Sequence, residues 1–318
     1  MRKISIVIVL ALLFNNGYSQ ADTLIRKLDS LSQKKDSTGI QVNNTTEAAY
    51  NKQTQITSKT YFILLGSTLK QEFTKPFHMT SKEWGRFGLF TAATGALMFA
   101  DEPLQKEALK FRDKNGWTLK ASKYVTNAGG IYEIGTLGAL AAYGYIFKNK
   151  KVQTTTLLAS QAYISGSIIE FVVKNIFGRT RPSSYGTDAE AEPKFRGPFQ
   201  RNSSFPSGHA TVAFSAAAVY AMEYKSTIWV PIVAYTAAGL ISASRITENK
   251  HWTTDVLVGS LVGFLNGRHV VNNYHRYQKI KSTPVQPGER RPTPKKSISY
   301  NLQYNQGHLQ PGLIYHIR

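Results

Sequence analysis

Between Lys174 and Asp255 the chain carries three separated clusters of polar residues set in apolar sequence. They read Lys174-Asn-Ile-Phe-Gly-Arg-Thr-Arg181-Pro182, then Phe205-Pro206-Ser207-Gly208-His209, then Ser244-Arg245-Ile-Thr-Glu-Asn-Lys-His251-Trp-Thr-Thr-Asp255. The apolar runs between them have helical length, so Lys174 is expected to end one helix and His209 to begin the next. Arg245 then ends another, and His251 begins the last. In an antiparallel bundle these four termini share one end. That constraint gathers three cations, two imidazoles and a carboxylate into one pocket.

Those residue types suit a phosphate ester. Arg181 and Arg245 each offer a planar fork of donors, and Lys174 supplies a point charge. Ser207 and Gly208 add a hydroxyl and backbone N–H groups at a helix N-terminus, where the dipole favours an anion and glycine lets the backbone come close. His251 and Asp255 are four apart, so on one helix face the carboxylate is expected to accept a hydrogen bond from the imidazole and fix its tautomer. The other ring nitrogen is then free to attack phosphorus. His209, on the first turn of its helix, is placed to protonate the leaving oxygen and later to deprotonate the water that releases the phospho-enzyme. This scheme requires no metal. Taken singly, each cluster has a plain reading: Lys174 and Arg181 suit a helix C-terminus, Pro182 and Pro206 punctuate helices, and His251 suits a solvated turn. Arg179 is read as a surface charge.

In order and spacing the clusters resemble the signature of the type-2 phosphatidic acid phosphatase and vanadium haloperoxidase superfamily, K-x6-R-P, P-S-G-H and S-R-x5-H-x3-D, and every position matches. The resemblance implies His251 as nucleophile, Asp255 behind it and His209 as general acid. It implies Lys174, Arg181, Arg245, Ser207 and Gly208 as phosphate holders. It also implies that vanadate acts as an inhibitor or, in a haloperoxidase, as the cofactor.

The rest of the chain sets the surroundings. Arg2 and Lys3, an apolar run from Ile4 to Phe14 and the small-residue exit Gly17-Tyr18-Ser19 read as an export signal over 1–19. Residues 20–79 are expected to be an amphipathic and linker region, with a short helix at Leu24–Leu31, a polar linker at Ser37–Ser58 and an amphipathic segment at Tyr61–Phe73. Thr80 with Glu83 has capping-box spacing and opens the helical domain over 80–270. Asn115-Gly116 marks a turn between helical fragments, and Ile134–Phe147 with Val152–Val173 read as a helix hairpin, the second helix ending at Lys174. Pro182–Phe205 is a loop, and Ala210–Met222, Ser226–Ser244 and Val256–Leu265 complete an all-α bundle of about six core helices. Over 271–318 a basic, proline-containing linker leads to alternating residues, Ile298 to Tyr304 and Leu313 to Ile317, that suggest a short β-hairpin.

A net charge of +20 in 318 residues lies between apolar segments and in the tails, so a membrane surface or a phosphorylated substrate is expected and nucleic acid is not. No cysteine is present, which excludes disulfides and thiolate sites. The expected activity is metal-independent hydrolysis of a phosphomonoester or diphosphate on a lipid, such as phosphatidic acid, a polyprenyl diphosphate or a lipid A phosphate. The alternatives are a soluble periplasmic acid phosphatase, a vanadate-dependent haloperoxidase and an inactive scaffold. Lys148, Lys150 and Lys151 place their loop in the cytoplasm and the pocket on the periplasmic side of the inner membrane.

Overall fold

The computed structural model describes residues 55–128, 131–185, 193–200, 202–282 and the backbone of 296–305 and 308–317. The expected signal, the Leu24–Leu31 helix, all but the end of the Ser37–Ser58 linker and residues 186–192 of the Pro182–Phe205 loop lie outside these residues. Two compact units divide the chain: Val42–His275, and Met1–Gln41 with Arg276–Arg318. The second unit holds the end of the last helix and two extended segments.

The first unit is all-α among its described residues. Its helices are α1 (Ser58–Thr74), α2 (Ser81–Leu97), α3 (Asp101–Lys114), α4 (Thr118–Ala128), α5 (Ile131–Ile146), α6 (Lys150–Phe177), α7 (Gly208–Glu223), α8 (Trp229–Thr247) and the start of α9 (Thr253–Ser282). The expected capping box opens α2: the Thr80 hydroxyl accepts from the Glu83 N–H at 3.3 Å, and the Glu83 carboxylate accepts from the Thr80 N–H at 2.8 Å. The Asn115-Gly116 turn separates α3 from α4, as its chemistry predicts. α5 and α6 form the expected hairpin, pinned where the Gln153 amide donates to the Gly144 carbonyl at 2.7 Å. α6 runs three residues past its expected end at Lys174. It stops where Gly178 takes a left-handed φ of 57°, and a Cβ there would lie 1.9 Å from the Gly197 carbonyl oxygen. No other residue fits that corner.

Burial is carried by small side chains. Leu158, Ala159 and Ala162 of α6, Ala210, Ala217 and Ala218 of α7, and Ala238 of α8 are shielded from solvent, so helices approach closely. The closest approach is between α7 and α9. Gly259, Gly263 and Gly267 recur every four residues along one face of α9, and a Cβ at each would lie 2.6, 2.1 and 2.2 Å from the carbonyl oxygens of Ser207, Thr211 and Ser215. Beside this seam Asn266 links three helices, donating to the Ala162 carbonyl (2.8 Å) and the Ser215 hydroxyl (2.9 Å) and accepting from the Ser165 hydroxyl (2.6 Å). α9 continues well beyond the expected Leu265, because Val270, Val271 and Tyr274 are buried and hold the helix to the bundle. α1 is stitched on by polar contacts: Gln71 donates to the Asn273 side chain at 3.2 Å, and Gln161 donates to the Tyr61 carbonyl at 2.8 Å.

The outside of the bundle is apolar. α2 has no buried residue, and its Leu89 is 73% exposed. Phe99, Phe171 and Trp229 are likewise open. α6 and α8 are long and apolar enough to cross a bilayer.

The glycine seam gives a direct test. Gly263→Ala forces α7 and α9 apart and is expected to cost about 1–3 kcal/mol, whereas Gly95→Ala on α2, where a Cβ meets nothing within 4 Å, is expected to be neutral or to stabilise by up to about 1 kcal/mol. Denaturant unfolding of the two purified variants in one detergent checks the contrast.

Candidate active site

The three clusters meet at one end of the bundle around a cavity of about 310 Å³. Six of the eight expected residues line it: Lys174 near the end of α6, Arg181 just beyond, Gly208 and His209 on the first turn of α7, Arg245 near the end of α8, and His251 in the turn before α9. Ser207 and Asp255 lie behind this wall, both wholly buried. Ser207 precedes α7 as its N-cap without making a side-chain cap, and its hydroxyl has no partner among the described residues. The Ser207 N–H donates to the Asp255 carbonyl at 3.0 Å, which ties the second cluster to the third.

His251 is almost fully buried, and its Nδ1 lies 2.7 Å from the Ser204 carbonyl oxygen. A carbonyl only accepts, so Nδ1 carries the proton and Nε2 is left with its lone pair. The tautomer is therefore fixed as chemistry at phosphorus needs, but by a different group from the one the spacing suggested. Asp255 Oδ2 is 3.9 Å from Nδ1, beyond hydrogen-bond reach. Its oxygens are already committed. Oδ2 accepts from the Trp252 N–H (2.9 Å) and from the Ser204 hydroxyl, and Oδ1 accepts from Arg179 Nη1 (2.5 Å). Asp255 thus grips the residue whose carbonyl grips His251.

Arg179, taken from sequence as a surface charge, is instead fully buried. Nη1 donates to the Thr254 hydroxyl (2.8 Å) as well as to Asp255, and Nη2 donates to Asp101 Oδ2 at 2.6 Å. The guanidinium lies 5.2 Å from the Phe195 ring centre and 5.6 Å from that of Trp252. Asp101, on the first turn of α3, also accepts from the Thr254 N–H at 2.9 Å. Trp252 is buried as well and donates its indole N–H to the Thr180 carbonyl at 2.8 Å. The correction has a physical cause: the chain turns inward at Gly178, which carries Arg179 into the interior between two carboxylates.

The cations are held unequally. Arg245 Nη1 donates to Glu248 and to the Thr126 hydroxyl, each at 3.0 Å, while its Nε has no partner among the described residues. Arg181 donates from Nε to the Asn202 carbonyl at 3.1 Å. Lys174 pairs with Glu170, a carboxylate on the cavity wall that sequence reasoning did not select. Tyr163, Ser167 and Val212 complete the lining. Burial, then the charges of Arg245, Lys174 and Arg181, pull the affinity of His209 for a proton down to about pH 4. His251 is pushed well below its ordinary value, first by burial and then by Arg181, Lys174 and Arg245. Both imidazoles are neutral near pH 7. Among the described residues, no three His, Asp or Glu side chains gather so that they could hold a metal ion.

Residues 155–279, a stretch that includes all eight expected positions, match the model of the PAP2 superfamily. They are a PAP2 superfamily domain. The chain is similar over 135 residues, at 33% identity, to Lipid A 1-phosphatase of Porphyromonas gingivalis, covering 41% of this chain and 27% of that protein. It is 29% identical over 119 residues to Undecaprenyl-diphosphatase of Sulfolobus acidocaldarius, covering 37% of this chain and 53% of that one. The chain therefore spans little more than half, at most, of the curated relatives it matches. A transmembrane PAP2 type phosphatidylglycerolphosphate phosphatase from Bacillus subtilis aligns with a TM-score of 0.46 and 21% identity, covering 62% of this chain and 96% of that one.

The cations make His209 a reporter for the pocket. In anion-free protein its ring is expected to titrate near pH 4. Orthovanadate, by offsetting the cations, should raise that value, and Arg245→Gln should raise it without any ligand. Histidine ring NMR shifts against pH, with His209→Ala for assignment, read both changes.

Proposed function

We propose that the chain is a membrane-associated phosphatase that hydrolyses a phosphomonoester or diphosphate carried by a lipid, through a phosphohistidine intermediate. The observation that carries this reading is the bare Nε2 of a tautomer-fixed His251 at the wall of a cavity shared with Lys174, Arg181, Arg245 and His209. The two curated relatives, named as phosphatases of lipid A and of undecaprenyl diphosphate, support the lipid class.

In the first step Nε2 of His251 forms a bond to phosphorus as the ester oxygen departs. The negative charge on the three remaining oxygens is met by Lys174, by Arg181 and Arg245, and by the backbone N–H of Gly208, while the Ser207 N–H stays on the Asp255 carbonyl. His209 gives the departing oxygen its proton. It is neutral in the empty cavity, and the incoming phosphate charge raises its proton affinity so that it is loaded when needed. In the second step His209 takes a proton from water, the hydroxide attacks phosphorus, the P–N bond breaks, and inorganic phosphate leaves. Asp255 takes no proton in this scheme; it positions Ser204 and through it His251. No step calls on a metal ion, and orthovanadate is expected to inhibit by occupying the cradle.

Residues 1–19 are an export signal, 20–79 an amphipathic and linker region, 80–270 the phosphatase domain, and 271–318 a basic linker leading into a hairpin. The antiparallel register of β1 (Lys296–Asn305) with β2 (His308–Ile317) supports the last. α6 and α8 cross the inner membrane. α6 is 28 residues long, so Lys150 and Lys151 at its start lie about 35 Å along the helix from Lys174. A cytoplasmic basic loop therefore supports a periplasmic pocket.

Rapid acid quench with labelled substrate should trap phosphate on His251 in the wild type, while His251→Ala should lose turnover yet still bind orthovanadate. Label on any other residue would defeat the assignment.

Orientation is read by cysteines introduced into this cysteine-free chain. Ser184→Cys should react with a membrane-impermeant maleimide in cells with a permeabilised outer layer and an intact inner membrane, and Asn149→Cys should not. Labelling at both positions would favour a soluble periplasmic enzyme, and labelling at Asn149 alone would invert the topology.

A further inference from the structure

A second cavity, of about 210 Å³, lies toward the other end of the bundle. Its wall is built by Leu140 of α5, Val152 and Thr156 of α6, Tyr220 and Tyr224 at the end of α7, and Val230 of α8. Exposed rings set the depth of this end: Tyr145 closes α5 and Trp229 opens α8, and such side chains collect at a membrane–water boundary. Lys148, Lys150 and Lys151 stand at the same end, about 35 Å along α6 from Lys174. A phosphate held there is out of reach of His251.

Three features of this end describe one ligand. The first is charge. Lys148 and Lys150 are exposed and have no acidic partner among the described residues, and Lys150 spends only one of its three N–H donors on the Gln153 side chain, at 3.2 Å. Lys151 holds its ammonium 4.5 Å from the centre of the Tyr224 ring, on the cavity wall, and Lys225 is next in the chain. The acids on the four helices leave this charge standing. Glu170 belongs to the active-site end, Glu133 lies about 20 Å before the end of α5, and Glu223 is paired with His275 at 2.7 Å. The second feature is a pair of idle donors. The hydroxyls of Thr156 and Tyr220 are buried on the cavity wall without a partner among the described residues, and the Thr156 side chain belongs to a residue only 5% exposed. A buried hydroxyl in that position calls for an acceptor. The third is spacing. Thr156 is five residues past Lys151, about 8 Å along the helix, the span from a phosphate to the ester carbonyls of its glycerol. Leu140, Val152 and Val230 make the rest of the wall hydrocarbon. A free phosphate would use the lysines and leave the hydroxyls and the cavity unfilled.

We propose that this end of the bundle is a second lipid site, which holds one anionic glycerophospholipid of the leaflet facing away from the active-site cavity. Its phosphate lies among Lys148, Lys150 and Lys151, an ester carbonyl accepts from Thr156 or Tyr220, and the start of an acyl chain fills the cavity. The lipid is held and not hydrolysed. The proposal rests on α6 crossing the bilayer and is independent of the chemistry at His251.

The test titrates the full chain, purified in a neutral detergent, with phosphatidylglycerol, with phosphatidylcholine of the same acyl chains and with glycerol 3-phosphate. Native mass spectrometry counts the molecules that stay bound. The wild type should hold one phosphatidylglycerol roughly tenfold more tightly than phosphatidylcholine, and should not retain glycerol 3-phosphate. Lys148→Gln and Lys150→Gln, both at exposed side chains, should each weaken phosphatidylglycerol by about fivefold and leave phosphatidylcholine unmoved. Thr156→Val, which keeps the shape and removes the hydroxyl, should weaken both lipids by about threefold to tenfold, and Thr156→Ser should restore them. If Thr156→Val fails to fold, Val230→Phe, which fills the cavity from another helix, should exclude both lipids. Lys174→Gln, at the active-site cavity, should change none of these values. Equal retention of the two lipids, a preference that the lysine variants leave intact, or a loss produced by Lys174→Gln instead would overturn the site. Glycerol 3-phosphate held as tightly as the lipid would overturn it too, since the cavity would then contribute nothing.

Discussion

The buried guanidinium of Arg179, held between Asp101 and Asp255, is the contact on which the rest of the site depends. Three charges out of water are costly, and their arrangement is stable only because each finds several partners: Thr254 serves both Arg179 and Asp101, and Ser204 and Trp252 serve Asp255. Removing the arginine would leave two buried carboxylates facing each other, a loss of about 3–5 kcal/mol. The same network joins the start of α3, the chain after α6 and the start of α9. His251 is its last member, reached through the Ser204 carbonyl. The geometry of the proposed nucleophile is thus inherited from an ion pair that touches no substrate.

Above that neutralised layer the cavity is left positively charged. The two layers have opposite electrostatic character because their needs differ. The lower one is closed and its charges are paired, with only the Arg179 Nε lacking a partner among the described residues; the upper one lines the cavity with cations. Burial, and after it that excess, hold both imidazoles neutral, which suits the proposed nucleophile at once and the proposed acid only after a phosphate has arrived.

What the sequence disclosed followed locality. The Thr80–Glu83 box, the Asn115-Gly116 turn and the α5–α6 hairpin are encoded within a few residues, and each is where its chemistry put it. The three clusters were legible because helix ends must meet in a bundle. Arg179 was not, since its partner Asp101 is 78 residues away and reads locally as an ordinary acidic first turn. The tie from Asp255 to His251 was misjudged for a related reason. Spacing of four shows that two residues share a face, but the Ser204 that intervenes comes from 47 residues before His251. Glu170 was hidden inside an apolar run, as a single charge one turn before a lysine already in hand. The glycines of α9 were visible, at Gly259, Gly263 and Gly267, but a four-residue repeat says only that something comes close, not what.

That seam also governs how the site can vary. With carbonyls of α7 seated against bare Cα atoms of α9, the two helices have no side-chain layer across which to slide. Ser207, Gly208 and the Asp255 segment therefore travel as one piece. The facing wall, α6 with Tyr163, Ser167 and Glu170, shares no such seam with α9. Substitutions on that wall can change the shape of the cavity while the segment with Ser207, Gly208 and Asp255 stays fixed, so the two sides of the site can vary independently.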